Sequence, residues 1–443
     1  MSNTQRSVLG KVPSGWRVAE LRDLGSWGGG KTPRKSNQEY WNGETLWVSP
    51  KDMGGSVIRR TEDHVSQVAL SEKNLTVYEP GAVMVVFRSG VLRHTFPVAT
   101  CNRPFTVNQD MKVLTPEDGI DNRFAFHLID HLGPVVLQKA TKVGTTVESV
   151  DTDSFMSLSV GLPPLPEQRR IADVLDTVDA AIQETDAVVE KQEQVKTGLL
   201  QDLLTRGLDA EGRLRDPERE PGSFRETGAA GLMPKDWTVE RIGNLGAWGG
   251  GGTPRKSKRE FWEGQIPWVS PKDMGTPIIY RTEDYITSQA VTENNLKVYD
   301  PGSVAVVFRS GILRHTFPVS TSTRPFTVNQ DMKVLTTRKE VADRFALYLL
   351  RFLGPLVLQK ATKVGTTVDS IDTGSFMELR VGLPPRVEQQ QIVRRINTVL
   401  DSIEELRSEI AKLQHLKTGL MQDLFTGRVR VPEAEVRVDE VVA

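Results

Sequence analysis

The chain has 443 residues, 38% hydrophobic and 26% charged, with 56 Lys+Arg against 57 Asp+Glu and a net charge of −1. No apolar run approaches the ~20 residues of a membrane span, Met1-Ser-Asn-Thr-Gln-Arg6 opens no signal peptide, and a single cysteine, Cys101, excludes an intrachain disulfide. These numbers predict a cytoplasmic protein of about two to four domains. They argue against a uniformly basic DNA-binding domain.

From Trp16 to Leu165 the chain is rich in Gly, Pro and Trp, with short apolar runs such as Ala82-Val-Met-Val-Val-Phe87 and Met111-Lys-Val-Leu114. Bounded by turns such as Glu79-Pro-Gly81 and Ser89-Gly90, these read as strands. One helix is predicted over 121–139, where Phe124, Leu128, Leu132 and Val136 recur every four residues. Cys101 reads as a small packing residue. After Pro163-Pro-Leu-Pro166 a much longer helix is predicted to Arg206. Its 4-3 seam is Ile171, Leu175, Val178, Ile182, Thr185, Val189, Gln192, Lys196, Leu199 and Leu203. A strict seam sustained over four heptads favours helix packed on helix, and ~40 residues would span roughly 60 Å. Residues 207–233, with Asp216-Pro-Glu-Arg-Glu-Pro-Gly222, read as a flexible linker.

Everything then returns. Residue n and residue n+221 are repeatedly the same: between Met84 and Leu114, 26 of 31 positions match their partners. The second globule covers 234–386. The second seam, over 387–427, is Ile392, Ile396, Val399, Ile403, Leu406, Ile410, Leu413, Lys417, Leu420 and Leu424, and a short acidic tail follows over 428–443. A period of 221 is no solenoid, whose repeats run from about 20 to 50 residues. It is one domain-sized unit used twice, which suits a partner that also offers two copies of one surface, such as duplex DNA. Charge follows the same division: +1 over 1–165, −6 over 166–221, +6 over 222–386 and −2 over 387–443. If DNA is touched, the two globules touch it, and a partner protein adds positive charge.

Gly25-Ser-Trp-Gly-Gly-Gly-Lys31-Thr32 matches the phosphate-loop pattern, but Pro33 blocks the helix that must follow, and the second copy has Gly252 for Lys31. A better reading places cations on a Gly-rich loop close to a nucleic-acid backbone: Arg34 and Lys35, repeated as Arg255 and Lys256. Further candidate contacts are Lys51 and Lys272, then Arg88, Arg93 and His94 with Arg309, Arg314 and His315. Arginine forks suit guanine O6/N7 or phosphate. The competing reading is a salt bridge to Asp52 or Asp110. The identical octets Lys139–Thr146 and Lys360–Thr367 offer Lys139, Lys142, Thr145 and Thr146, and Lys360, Lys363, Thr366 and Thr367, as a phosphate- or base-edge loop, or else a helix end with solvated lysines. Asn108-Gln109 and Asn329-Gln330 have the chemistry to read adenine, but a turn-bracing role is favoured. No metal spacing, nucleophile motif, dinucleotide fingerprint or Asn/Asp-Pro-Pro-aromatic motif is present, so the chain is read as non-catalytic.

With these residues assembled, the chain resembles the specificity subunits of type I restriction-modification systems. The likeness rests on Val12-Pro-Ser-Gly-Trp16 with Leu24-Gly25, the Thr-Pro-Arg-Lys-Ser loop, Trp41-x-Gly43 and Trp47-Val-Ser49. Gly161-Leu-Pro-Pro-Leu-Pro-Glu-Gln168 and Lys196-Thr-Gly-Leu-Leu-Gln-Asp-Leu203 complete it. The second copy repeats it with Met233-Pro-Lys-Asp-Trp237, Trp262-x-Gly264, Trp268-Val-Ser270, Gly382-Leu-Pro-Pro385, Glu388-Gln389 and Lys417-Thr-Gly-Leu420.

The resemblance implies two strand-rich α/β target-recognition domains held apart by two long helices packed antiparallel within one chain. Each recognition domain would read half of a split double-stranded DNA target. The helices would dock two modification subunits, which bind S-adenosylmethionine and methylate adenine. Where a restriction subunit joins, ATP and Mg belong to it, and this chain itself carries no cofactor. Recognition domains in such subunits ordinarily differ, whereas these are near duplicates, so the expected target is palindromic. Three alternatives stay open: a duplicated coiled-coil scaffold that binds only proteins, the specificity subunit of a methyltransferase-only or type IIG-like system, and a self-contained nuclease or methyltransferase.

Overall fold

Val83–Val86 is apolar at every position and fully buried, as a strand covered on both faces must be. In the computed structural model, which describes residues 6–142, 147–227 and 231–431, this strand lies at the centre of a five-stranded sheet. The order is Gly25–Gly29, Met111–Pro116, Val83–Val86, Val98–Cys101, Val57–Ile58; the first three pairings are antiparallel and the last is parallel. Register runs from Met111 opposite Val86 to Leu114 opposite Val83. The glycine-rich stretch is therefore an edge strand of this sheet and not a free loop. A smaller sheet, Phe105–Val107, Thr45–Val48 and Asp63–Val65, has its own core of Tyr40, Trp47, Val65, Ala69 and Leu75.

The helix predicted over 121–139 is two helices, Asn122–His131 and Gly133–Lys139. Pro134 sits in the first turn of the second, where its missing N–H costs nothing and its ring stops the preceding helix from continuing. Asp121 caps the first helix, accepting from the Arg123 and Phe124 N–H groups at 3.1 Å. Cys101 is buried beside the Ile58 carbonyl, as a packing residue should be.

Each element recurs 221 residues on. The second five-stranded sheet runs Gly246–Gly250, Met332–Thr337, Val304–Val307, Val319–Ser322, Ile278–Ile279. Two long helices, Leu165–Thr205 and Arg386–Phe425, follow the two globules. The chain divides into one unit of Met1–Ala187 with Arg407–Ala443 and a second of Val188–Leu406. Each unit thus holds the start of one long helix and the end of the other. In the first, Ile171 and Leu175 share a core with Met421, Leu424 and Phe425; in the second, Leu203 and Leu204 share a core with Ile392 and Ile396. Start meets end in both, so the two helices pack antiparallel. The seam read from periodicity faces inward. Ile171, Leu175, Val178, Ile392, Ile396, Ile403 and Ile410 are buried, and Ile182, Val189, Leu199, Val399, Leu406, Leu413 and Leu420 are half-buried.

The lysine layer is accommodated differently in the two units. Lys417, half-buried, pairs with Asp179 at 2.8 Å and lies 3.9 Å from Asp130; Lys196 pairs with Glu193 of its own helix. The segment after the first helix is not an open connector. Arg215 is buried and bonded to Glu388 at 2.7 Å, and Phe224–Thr227 pairs with Gly231–Pro234. Among the described residues, no helix is long and apolar enough to cross a membrane.

Candidate nucleic-acid interface

Both units carry the same open cleft between the two sheets. In the first unit Lys35, Trp47, Ser49, Lys51, Asp63, Arg88, Ser89, Asn108, Gln109 and Asp110 line it; in the second, Lys256, Trp268, Ser270, Lys272, Asp284, Arg309, Ser310, Asn329, Gln330 and Asp331 do. Each pair differs by 221.

Tryptophan N–H groups fix the cationic loop at its rim. Trp47 Nε1 donates to the Lys31 carbonyl and Trp41 Nε1 to the Arg34 carbonyl, both at 3.1 Å. Trp268 and Trp262 do the same for Gly252 and Arg255. The loop enters beneath Val107, where a β-carbon on Gly30 would stand 1.6 Å from the Val107 carbonyl oxygen. The glycine permits close backbone packing here.

The candidate cations separate into two groups. Lys35, Lys51 and Arg88, with Lys256, Lys272 and Arg309, converge on the clefts. Lys35 ion-pairs with Asp63 at 2.5 Å and lies 4.1 Å from the Trp41 ring centroid. Lys51 sits 3.7 Å from Glu62, and Lys272 lies 3.2 Å from Glu283. The exposed side chains of Arg88 and Arg309 have no hydrogen-bonding or ionic partner among the described residues. Their backbone N–H groups donate at 3.1 Å to Asp110 and Asp331, which anchors them at the cleft wall.

The remaining candidates lie elsewhere. Arg93 is held by Glu148 at 2.6 Å, and the Arg93 hydrogen bond keeps that carboxyl below its ordinary pKa. Arg314 lies 3.9 Å from Asp369 and donates to the Thr367 carbonyl at 3.4 Å. Neither uses Asp52 or Asp110. Asp52 instead accepts from the Ser49 and Glu62 backbones at 2.9 and 3.0 Å. Lys142 and Lys363 bond to Asp151 and Asp372, whose carboxyls are driven well below their usual range, chiefly by those lysines. Arg34, His94, Lys139, Arg255, His315 and Lys360 are exposed outside the cleft linings, as is Thr366, while Thr367 reaches the second cleft. Thr145 and Thr146 lie outside the described residues.

The Glu-Gln pair that opens each long helix joins helix to globule. Gln168, fully buried, accepts from the Asp121 N–H and donates to the carbonyls of Gly119 and Pro163; Gln389 repeats this with Ala342, Glu340 and Pro384. Glu167 and Glu388 accept from Trp16 and Trp237. No group of three or more His, Cys, Asp or Glu among the described residues is placed to hold a metal.

One cleft, built twice on one scaffold and joined to paired helices, defines a two-site binding protein. A family model for the type I restriction modification DNA specificity domain matches residues 13–191 and 234–415. The chain belongs to that family, whose subunits recognise DNA and do not catalyse. It is similar to the type I restriction enzyme MjaIX specificity subunit of Methanocaldococcus jannaschii, 23% identical over 429 residues and 96% of each chain. It is also similar to the EcoR124I/EcoR124II specificity subunit of Escherichia coli, 38% identical over 184 residues, covering 41% of this chain and 45% of that one. In fold it matches a chain of a type I R-M system solved for its assembly and conformational transition, with a TM-score of 0.58, 19% identity and coverage of 95% and 100%. The S subunit from M. genitalium matches with a TM-score of 0.55, 12% identity and coverage of 95% and 99%.

Proposed function

We propose that this chain reads a bipartite, near-palindromic DNA target and docks two adenine-N6 modification subunits, with restriction subunits joining where they are encoded. In this reading residues 1–165 and 234–386 are the target-recognition domains, 166–206 and 387–427 the helical spacers, 207–233 the linker and 428–443 the tail. S-adenosylmethionine binds the modification subunits, ATP and Mg the restriction subunit, and the complex works in the cytoplasm.

The observation that carries the reading is the duplicated cleft. Both copies offer an arginine whose side chain has no partner among the described residues, a tryptophan-braced cationic loop and the same Asn-Gln-Asp turn. An arginine fork left free at a cleft wall suits guanine or phosphate. Identical readers require identical half-sites, and the antiparallel course of the helices favours their inverted orientation. Half-site centres about one helical turn apart, roughly 34 Å or 10 bp, fit such a reader.

Gel shifts on a duplex target test this, with the chain alone and with co-expressed modification subunit. The chain alone should bind weakly, because its net charge is only −1 and phosphate neutralisation drives affinity. Addition of the modification subunit should strengthen binding, and methyl transfer should occur only in the complex. S-adenosylmethionine turnover by the isolated chain would overturn the reading. Binding to the modification subunit with no duplex affinity in the complex would favour the scaffold.

A further inference from the structure

The Asn-Gln pair after the strand Phe105–Val107 is divided between two tasks. Asn108 is buried; its Oδ1 accepts from the Asp110 N–H at 3.0 Å and its Nδ2 donates to Asp110 Oδ2 at 3.1 Å. It closes the turn, as the sequence suggested. Gln109, at the apex, is exposed and lines the cleft that also holds Arg88.

An exposed glutamine ordinarily wanders among rotamers. This one is held at both ends of its amide. Thr32 Oγ1 donates to Gln109 Oε1 at 2.5 Å, and Gln109 Nε2 donates to Asp110 Oδ2 at 3.3 Å. The second unit builds the same arrangement: Thr253 donates to Gln330 Oε1, and Gln330 Nε2 donates to Asp331 at 3.2 Å. The carboxylate decides which way the amide points. Turned over, it would set its carbonyl oxygen against a carboxylate, with no proton between them.

We propose that Gln109 and Gln330 each read one adenine, by paired hydrogen bonds in the major groove, in the half-site bound by their unit. This rests on the DNA-reading function above. After the two internal bonds, the amide keeps one lone pair on Oε1 and one N–H on Nε2. Adenine offers the complement, an N6 donor beside the N7 acceptor. Guanine offers two acceptors, O6 and N7, and would set O6 against Oε1. Thr32 and Asp110 act as positioning residues: they remove the rotamer freedom that binding would otherwise have to freeze.

The experiment uses the complex of this chain with its modification subunits on its mapped target. Each half-site adenine is replaced singly by 7-deazaadenine, which lacks the N7 acceptor. One adenine per half-site should then weaken the unaltered complex severalfold. The Gln109→Ala complex should be indifferent to that replacement in one half-site, and the Gln330→Ala complex in the other. Gln109→Ala should also lower discrimination at that base pair by roughly 5- to 150-fold, leaving other positions unchanged. Thr32→Val, which frees the amide without removing it, should give a smaller loss at the same pair. Equal weakening on every sequence, or no adenine coupled to either glutamine, overturns the assignment while the DNA-reading function stands. A complex that binds no duplex removes both.

Discussion

Arg430 closes a two-pronged hydrogen bond on Glu167, Nε to Oε1 at 2.6 Å and a terminal nitrogen to Oε2 at 2.7 Å, across 263 residues of chain. Trp16 donates to the same carboxylate at 3.0 Å. The second unit makes the same triad from Trp237, Glu388 and Arg215. The two arginines are not repeat partners, because the residue 221 before Arg430 is Asp209. Two different segments, each following a long helix, clamp equivalent Trp-Glu pairs.

Arg215→Ala should therefore destabilise more than Arg430→Ala. Arg215 and Glu388 are 10% and 7% exposed, so removing the arginine strands a buried charge at a cost of about 3–5 kcal/mol. Glu167 is as buried as Glu388, at 6% exposed, but Arg430 is 45% exposed, so its removal opens the carboxylate to water and about 1–3 kcal/mol is expected. Urea denaturation followed by tryptophan fluorescence reads both. The reverse order would contradict this view of the clamp.

Acid should erase the Arg430 effect. Burial pushes the Glu167 carboxyl up, but the Arg430 and Trp16 hydrogen bonds outweigh it and hold the pKa below its ordinary value. A depressed carboxyl contributes its stability above the unfolded pKa and loses it as pH falls through the folded one. The gap between the parent chain and Arg430→Ala should be full at neutral pH and shrink below about pH 4. Parallel stability curves down to pH 3 would show that the pair contributes nothing.

One unit pairs a histidine with a carboxylate where the other pairs a tyrosine with an amide. His127, fully buried, contacts Asp176 at 2.7 Å, while its repeat partner Tyr348 donates to Asn397 at 2.5 Å. Burial raises the Asp176 pKa, yet His127 and Arg123 together hold it below normal, so its stabilisation is lost on acidification. Grafting the second copy into the first, as His127→Tyr with Asp176→Asn, should be tolerated better than either single change and should flatten stability between pH 3 and 5. Circular dichroism across that range checks it. Additive single effects would show that the two residues are uncoupled.

The helix seam offers a harsher test. Val178→Asp with Ile182→Asp places two charges in it, at several kcal/mol each if unpaired. Loss of cooperative melting is expected, and an unchanged transition would count against paired helices.

Much of this is legible in the sequence. The 221-residue period, the a/d seam and the Val83–Val86 strand follow from spacing alone, because burial imposes spacing. Pro134 already marked the break that the four-residue periodicity of Phe124, Leu128, Leu132 and Val136 concealed. The site was harder. Arg93 is the same residue type as the cleft's Arg88, and Lys142 and Lys363 the same as its Lys35 and Lys51; only tertiary structure shows the first three bound to Glu148, Asp151 and Asp372. The sequence reads Gln109 as turn-bracing alongside Asn108; one peptide unit separates a buried side chain from an exposed one, and the sequence carries no sign of which is which. The Arg430 clamp escaped the repeat comparison because its counterpart occupies a non-equivalent position.

The free arginines and the bound ones should behave differently. Arg88→Ala or Arg309→Ala should cost about 1–3 kcal/mol of target affinity and relax one position if the fork reads a base. If it holds phosphate, all sequences weaken and the salt slope falls by about one. Arg93→Ala should chiefly lower stability by releasing Glu148. Binding titrations at several salt concentrations separate these outcomes, and normal affinity in the Arg88→Ala, Arg309→Ala double variant would place the contact surface elsewhere.

Methylated adenines should next be mapped genome-wide in a host expressing this chain with its modification subunit. Two near-identical recognition units should give one short half-site appearing twice in inverted orientation, with a methylated adenine on each strand. Two unrelated half-sites, or methylation in one half alone, would contradict the idea that duplicated clefts read duplicated DNA.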